Sequence, residues 1–69
     1  MPIIHVHNAG ELSVEQRRDL AEKLTAAICE VTGKPPTIVY TRIDEVPRDH
    51  FAVGGKLLAD RDAERAAGG

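Results

Sequence analysis

A shortage of cysteine, aromatic residues and net charge limits what this 69-residue chain can be. Cys29 is the single cysteine, so no disulfide forms within the chain, and the three histidines lack the spacing of zinc ligands. Only Tyr40 and Phe51 are aromatic and the net charge is −2, which argues against a nucleic-acid surface. No apolar run approaches the roughly 20 residues of a membrane span, and no signal-peptide pattern is visible. We therefore expect a cytoplasmic protein with no bound metal and no nucleic-acid or membrane partner.

The short length indicates one domain that self-associates. A domain of this size buries only about 60% of the surface that its unfolded chain exposes. Its core seldom supplies more than about 3–5 kcal/mol, and small domains usually add a disulfide, a metal or a partner chain. Since the first two are not evident, we expect a single domain over residues 1–69 that is stabilised by oligomerisation.

The first half of the chain predicts a strand followed by a helix. β-branched residues favour a strand over 2–8. Ser13 and Gln16 form a capping box, which predicts a helix over about 13–32 that ends at Gly33. The apolar stripe of that helix consists of Leu20, Leu24, Ile28 and Val31.

The second half predicts another strand and a short hairpin. A strand is expected over 37–46, followed by a hairpin or irregular loop that turns at Gly54 and Gly55. Residues 60–69 are polar and small, and we expect a frayed helix or a flexible tail there. A long helix between two strands is a βαβ crossover, so the strands should be parallel. Two strands are marginal alone, and the free sheet edge is most simply paired with another chain.

Side-chain alternation divides the two strands into an apolar and a polar face. The apolar set, expected under the helix, consists of Ile4, Val6, Val39, Thr41 and Ile43. The opposite face is expected to carry His5, His7, Tyr40 and Arg42. Such a face is either solvated or buried in an oligomer with its polar groups paired.

Pro2 is the candidate for chemistry. Its small size is the usual condition for removal of Met1, which leaves a secondary amine. Burial in an apolar pocket lowers the pKa of such an amine toward neutrality, where it is an effective general base.

The chain resembles the 4-oxalocrotonate tautomerase family over residues 2–58. The resemblance rests on the segments PIIHVH, LSVEQRRDL and, above all, DEVPRDHFAVGGKLL. It implies an α+β fold: a βαβ unit with a short C-terminal hairpin, two units forming a four-stranded sheet with two helices. It further implies a homohexamer built as a trimer of dimers, and keto–enol tautomerisation of a small-molecule acid without a cofactor.

The resemblance also implies a set of site residues. Pro2 is the expected base, Phe51 the apolar wall beside it, and Ile3 and Ala9 line the pocket. This chain departs from the family at two positions where well-known members carry arginines that hold a dicarboxylate.

Leu12 and Tyr40 occupy those two positions. We therefore expect a substrate other than the usual dicarboxylate, such as a monoacid or aryl-substituted enol. Arg42, two residues beyond Tyr40 on the same strand face, is a candidate cation for it. Tyr40 is a candidate hydrogen-bond donor to its carbonyl oxygen.

Two alternatives remain open from the sequence. One is another activity of the superfamily, such as a hydratase, dehalogenase or decarboxylase. The other is a non-catalytic oligomeric binding module, which follows if Met1 is retained, because the Pro2 nitrogen is then an amide.

Overall fold

The computed structural model describes residues 1–68, and its elements follow the predicted order. The helices and strands are β1 Ile3–Ala9, α1 Val14–Thr32, β2 Tyr40–Val46, β3 Ala52–Val53, β4 Lys56–Leu57 and α2 Leu58–Gly68. Single 3-10 turns, Pro36–Ile38 and Arg48–His50, lie on either side of β2. The predicted βαβ unit with a C-terminal hairpin is confirmed.

Helix α1 begins and ends through the predicted local contacts. The Gln16 amide donates to Ser13 Oγ (3.1 Å), and the Ser13 amide donates to Gln16 Oε1 (2.9 Å). Gly33 ends the helix with a φ of 72°, and its amide donates to the Cys29 carbonyl. The prediction that Val31 belongs to the apolar stripe is wrong, because its side chain is 85% exposed.

The second strand begins later than predicted because of two prolines. The Ile38 and Val39 amides donate to the carbonyls of Pro35 and Pro36, at 3.3 and 3.2 Å, and so close a 3-10 turn. Proline fits the first position of such a turn, where its missing N–H is not needed. The strand therefore starts at Tyr40 rather than at residue 37.

The two long strands are parallel, as predicted, and paired over their whole length. Ile3 lies opposite Tyr40, and Ala9 lies opposite Val46. The predicted division of the faces is also found along the strands. Half-buried positions are Ile4, Val6, Thr41 and Ile43, and exposed positions are Ile3, His5, His7, Tyr40 and Arg42.

A single chain does not complete a core. No residue within 1–68 is fully buried. The radius of gyration is 16.1 Å, against about 11 Å expected for a compact domain of this length. The largest exposed apolar fractions are those of Ile3, Val31 and Met1. No helix in the described range is both long and apolar enough to cross a membrane.

The hairpin and α2 form a C-terminal arm, residues 52–68, that packs mainly against the Arg48–His50 turn. Positive φ angles at Gly54 and Gly55 make the tight turn between β3 and β4. Arg48 holds the arm: Nη2 donates to the Asp62 carboxylate (2.9 Å) and Nη1 to the Ala9 carbonyl (3.0 Å). The segment predicted as a frayed helix or flexible tail is thus helical through residue 68, and residue 69 lies outside the described range.

Candidate active site

Pro2 lies immediately before β1 and is half-buried. Its carbonyl accepts a hydrogen bond from the Tyr40 amide at 3.0 Å, which fixes the start of the strand pair. Met1 precedes it and is 76% exposed. While Met1 is attached, the Pro2 nitrogen is part of a peptide bond and is an amide. Only removal of Met1 gives that nitrogen a lone pair that accepts a proton.

Ile3 and Tyr40 lie beside Pro2 on the exposed face of the sheet, which we call the open face; it carries Ile3, His5, His7, Tyr40 and Arg42. Ile3 and Tyr40 are opposite each other in the strand register and are 72% and 54% exposed. Arg42 follows on the same face, but its Nε lies 3.2 Å from Asp44 Oδ2. The candidate cation is therefore already paired with a carboxylate within the chain.

The other predicted site residues lie at the opposite end of the strands. Ala9 ends β1, six residues from Ile3, which separates the two by about 20 Å at the usual rise of a strand. Leu12 follows Ala9 in the connection to α1 and is half-buried. Phe51 comes after the 3-10 turn that follows β2 and is 43% exposed. One chain therefore brings Pro2, Ile3 and Tyr40 together but leaves Ala9, Leu12 and Phe51 at the other end.

Of the clefts formed by residues 1–68, the two best defined are not lined by Pro2. The larger, about 390 Å³, lies beyond the ends of β1 and β2 and is lined by Gly10, Glu11, Glu45, Val46, Pro47 and Arg48. The smaller, about 290 Å³, lies along α1 and is lined by Leu12, Gln16, Asp19, Leu20 and Lys23. These clefts do not enclose the candidate base.

The arginines near the larger cleft are already bound to acidic groups. Arg17 Nη1 donates to the Leu12 carbonyl (3.0 Å) and to the Glu45 carboxylate. Arg48 binds Asp62, and the hydrogen bond between them raises the pKa of Arg48 and lowers that of Asp62. Neither arginine is therefore free of an acidic partner at this cleft.

The open face carries the predicted histidines, and the contact that joins His5 to Asp44 was not predicted. His5 Nε2 contacts the Asp44 carboxylate, and the His5 and His7 rings lie 3.9 Å apart between centroids. The hydrogen bond from His5, together with Arg42, lowers the pKa of Asp44 against an opposing effect of burial. We call His5, His7 and Asp44 the open-face cluster. Alternation along each strand predicts the shared face of the two histidines and of Asp44, but the contact between them depends on the strand register.

Comparison with known proteins identifies the family. Residues 2–61 match the family model described as "Tautomerase enzyme". The chain is 43% identical over 61 residues to a probable tautomerase of Bacillus cereus, covering 88% of this chain and 100% of the relative. It is 39% identical over 62 residues to the 2-hydroxymuconate tautomerase of Bacillus subtilis, covering 90% of this chain and 100% of the relative.

Solved structures agree in fold. The structure of TomN, a 4-oxalocrotonate tautomerase homologue in the tomaymycin biosynthetic pathway, aligns with a TM-score of 0.85 and 35% identity, covering 90% of this chain and 95% of TomN. A heterohexameric 4-oxalocrotonate tautomerase from Chloroflexus aurantiacus aligns with a TM-score of 0.80 and 33% identity, covering 87% and 97%. The family model matches nearly the whole chain from Pro2 onward, and the solved structures share its fold. This chain therefore belongs to the tautomerase family of isomerases.

Proposed function

We propose that this chain, once Met1 is removed, interconverts the enol and keto forms of a small 2-hydroxy-enol acid with Pro2 as the general base. The observation that carries the proposal is the position of Pro2. Pro2 lies directly before β1, and its carbonyl accepts a hydrogen bond from the Tyr40 amide. It is also the first residue of the family match. No cofactor is required, because the reaction moves one proton and changes no oxidation state.

The proposed steps balance within the substrate. The Pro2 nitrogen takes the proton of the enol hydroxyl, and the oxygen electrons form the carbonyl. The prolinium nitrogen then returns the proton to the carbon of the former C=C bond that did not carry the hydroxyl. A general base of this kind contributes about 10²–10⁴-fold to a rate when its pKa is near the working pH.

Tyr40 and the apolar residues have separate roles in this proposal. The Tyr40 hydroxyl donates a hydrogen bond to the substrate oxygen as negative charge develops on it. Ile3, Ala9 and Phe51 keep the site apolar, which favours the neutral amine over the ammonium.

The proposed pocket is shared between chains. Pro2 and Phe51 belong to opposite ends of the long strands, and no residue of the described chain is fully buried. A partner chain resolves both facts by bringing its Phe51 end to the Pro2 end of its neighbour. The relative from Chloroflexus aurantiacus is a heterohexamer, which supports a proposed homohexamer here, built as a trimer of dimers with four-stranded sheets.

The proposed substrate carries one carboxylate rather than two. Leu12 and Tyr40 replace the two clamp arginines, and Arg42 is paired with Asp44. Leu12 makes the pocket mouth apolar, which suits an aryl or alkyl group. The Bacillus subtilis relative is named for 2-hydroxymuconate, a dicarboxylate, so a direct comparison of both substrate types decides this point.

The test combines mass analysis with kinetics on one untagged sample. Intact mass shows whether Met1 is removed. Ketonisation of phenylenolpyruvate and of 2-hydroxymuconate is then followed for the wild type, Pro2→Ala and, as a matched control, Pro35→Ala in the exposed loop after α1. We expect Pro2→Ala to lose about 100-fold or more in kcat, in the range for a general base, and Pro35→Ala to keep its activity.

Each contrary result has a defined meaning. A retained Met1, or a rate unaffected by Pro2→Ala, overturns the proposed base and favours the binding module. Equal turnover of the two substrates overturns the monoacid preference alone. The hydratase, dehalogenase and decarboxylase alternatives and the cytoplasmic location stay predictions.

A further inference from the structure

The open-face cluster places three good metal donors together. One donor atom from each of His5, His7 and Asp44 lies within 4.8 Å of the others. The arrangement follows from the strand geometry, since residues two apart in a strand share a face. His7 and Asp44 are opposite each other in the parallel register, and His5 is one step along the same face.

Two imidazoles and one carboxylate are a donor set that divalent transition metals favour. Zn²⁺ and non-haem Fe²⁺ sites use this combination and leave other coordination positions open. Metal–donor distances of about 2.0–2.2 Å place neighbouring donors roughly 3.4 Å apart in a tetrahedral site. The three donor atoms here lie within 4.8 Å of one another, and both histidines are exposed in the chain, so we expect side-chain rotation to close the site.

We propose that His5, His7 and Asp44 bind a divalent transition metal such as Zn²⁺ on the open face of the sheet. His5 Nε2 and the Asp44 carboxylate are in direct contact. A metal ion replaces the proton between these two groups and recruits His7, whose ring already lies against His5.

Arg42 supports the site from outside. Its Nε donates to Asp44 Oδ1 at 3.3 Å, which holds the carboxylate in place on the sheet. Ligating carboxylates are commonly held by such outer hydrogen bonds. The positive charge of Arg42 also opposes a cation, so we expect a site of moderate rather than extreme affinity.

The metal has no part in the proton transfer proposed for Pro2. Its expected effect is on stability, since a ligand that binds only the folded chain shifts the equilibrium toward that chain. The two proposals therefore fail separately: loss of metal binding leaves the Pro2 test unchanged, and an inactive Pro2 leaves the metal test unchanged.

The test uses Co²⁺ and Zn²⁺ with the untagged chain, first stripped of metal by a chelator. We expect about one Co²⁺ per chain with a visible d–d absorption that Zn²⁺ displaces, and a melting temperature that rises with Zn²⁺. His5→Gln, His7→Gln and Asp44→Asn should each weaken binding at least about tenfold, because loss of even a supporting residue costs roughly 10–100-fold.

Two matched controls come from the same chain. His50 is an exposed histidine outside the cluster, and Cys29 carries a free thiol, which is also a strong metal donor. His50→Gln and Cys29→Ser should bind Co²⁺ as the wild type does.

Some results would overturn the proposal. They are an absence of Co²⁺ and Zn²⁺ binding, binding unchanged in all three cluster variants, or binding that Cys29→Ser or His50→Gln removes. If a variant fails to fold, imidazole NMR of the wild type decides. Zn²⁺ must then shift the His5 and His7 signals and leave His50 in place.

Discussion

Tyr40 has two separable roles at the level of single atoms. Its amide fixes Pro2 through a 3.0 Å hydrogen bond, while its hydroxyl is the proposed donor to the substrate oxygen. A substitution that removes only the hydroxyl leaves the first role intact and tests the second.

Tyr40→Phe should therefore lower kcat without disturbing the fold. Removal of one donor to a developing oxyanion costs about 100-fold or more in kcat. We expect a loss of that order toward phenylenolpyruvate, with KM changed much less and an unaltered circular dichroism spectrum. If kcat is unchanged, the hydroxyl does not polarise the substrate.

Leu12 and Tyr40 should also decide between one and two carboxylates. Restoring both arginines, Leu12→Arg with Tyr40→Arg, should raise kcat/KM for 2-hydroxymuconate relative to phenylenolpyruvate. A hydrogen bond to a charged group contributes about 1.5–3 kcal/mol, which corresponds to roughly 10–100-fold. Leu12→Met, which conserves volume and adds no charge, is the control and should leave the ratio unchanged. An unchanged ratio in the double variant would show that these positions do not face the substrate.

Candidate site residues could be named from the sequence where the evidence lies in neighbouring residues. Contacts between side chains could not be predicted in this way. Pro2 could be proposed from the sequence because Met-Pro and the neighbouring segments lie together in the chain. The contact of Asp44 with His5 was missed because it joins residues 39 positions apart and depends on the strand register. The pairing of Arg42 with Asp44 joins residues two apart on one strand; alternation gives their common face but not the contact between them.

At the scale of elements, the C-terminal arm depends on one guanidinium group. Arg48 binds Asp62 in α2 and the Ala9 carbonyl at the end of β1, so it links the arm to the sheet. A further ion pair, between Lys56 and Glu64, lies within the arm itself and does not link it to the sheet.

Asp62→Asn should therefore loosen the arm more than an equivalent change elsewhere on α2. We expect faster amide hydrogen exchange over residues 58–68 in Asp62→Asn, while α1 is unaffected. Asp60→Asn is the matched control, since Asp60 is an exposed carboxylate on the same helix. Equal exchange rates in the two variants would mean that the Arg48–Asp62 contact does not hold the arm.

The same contact should make the arm sensitive to acid. The hydrogen bond from Arg48 lowers the pKa of Asp62 below its ordinary value of 3.8. A carboxyl with a lowered folded-state pKa stabilises the fold above its unfolded pKa and loses that contribution as the pH falls through the folded value. Protection from exchange over 58–68, taken relative to the intrinsic rate at each pH, should therefore fall below about pH 4 in the wild type, and Asp62→Asn should lack this step.

Element boundaries were predicted well only where short-range contacts set them. The capping box and Gly33 located α1 to within about a residue, because each contact spans three or four positions. The start of β2 was misplaced because β-branched residues suggested a strand where Pro35 and Pro36 close a turn. Residues 60–68 carry few apolar side chains, and the ion pair to Arg48 that anchors them is not visible in local composition.

For the whole molecule, the length of the chain and its structure lead to the same requirement. The short sequence predicted a core too small to stand alone. The structure shows no fully buried residue within 1–68 and an elongated shape of 49 × 24 × 16 Å. Apolar side chains such as Ile3 and Phe51 therefore remain for a partner to cover.

A mixing experiment tests whether the partner also completes the pocket. Pro2→Ala removes the base and Phe51→Ala removes the wall, so each variant alone should be nearly inactive. If Pro2 and Phe51 of one pocket come from different chains, oligomers refolded from an equal mixture contain some pockets with both wild-type residues. Random assembly of a symmetric oligomer gives about a quarter of the pockets in this state.

Recovery of about a quarter of wild-type activity would therefore support a shared pocket, by the same random-assembly count. A pocket built within one chain predicts no recovery, because every chain in the mixture lacks one of the two residues. The control is a mixture of Pro2→Ala with Pro2→Ala,Phe51→Ala, which contains no wild-type Pro2 and should stay inactive under either arrangement. Since the strand pair keeps Ile3 and Ala9 about 20 Å apart, we expect recovery in the first mixture only.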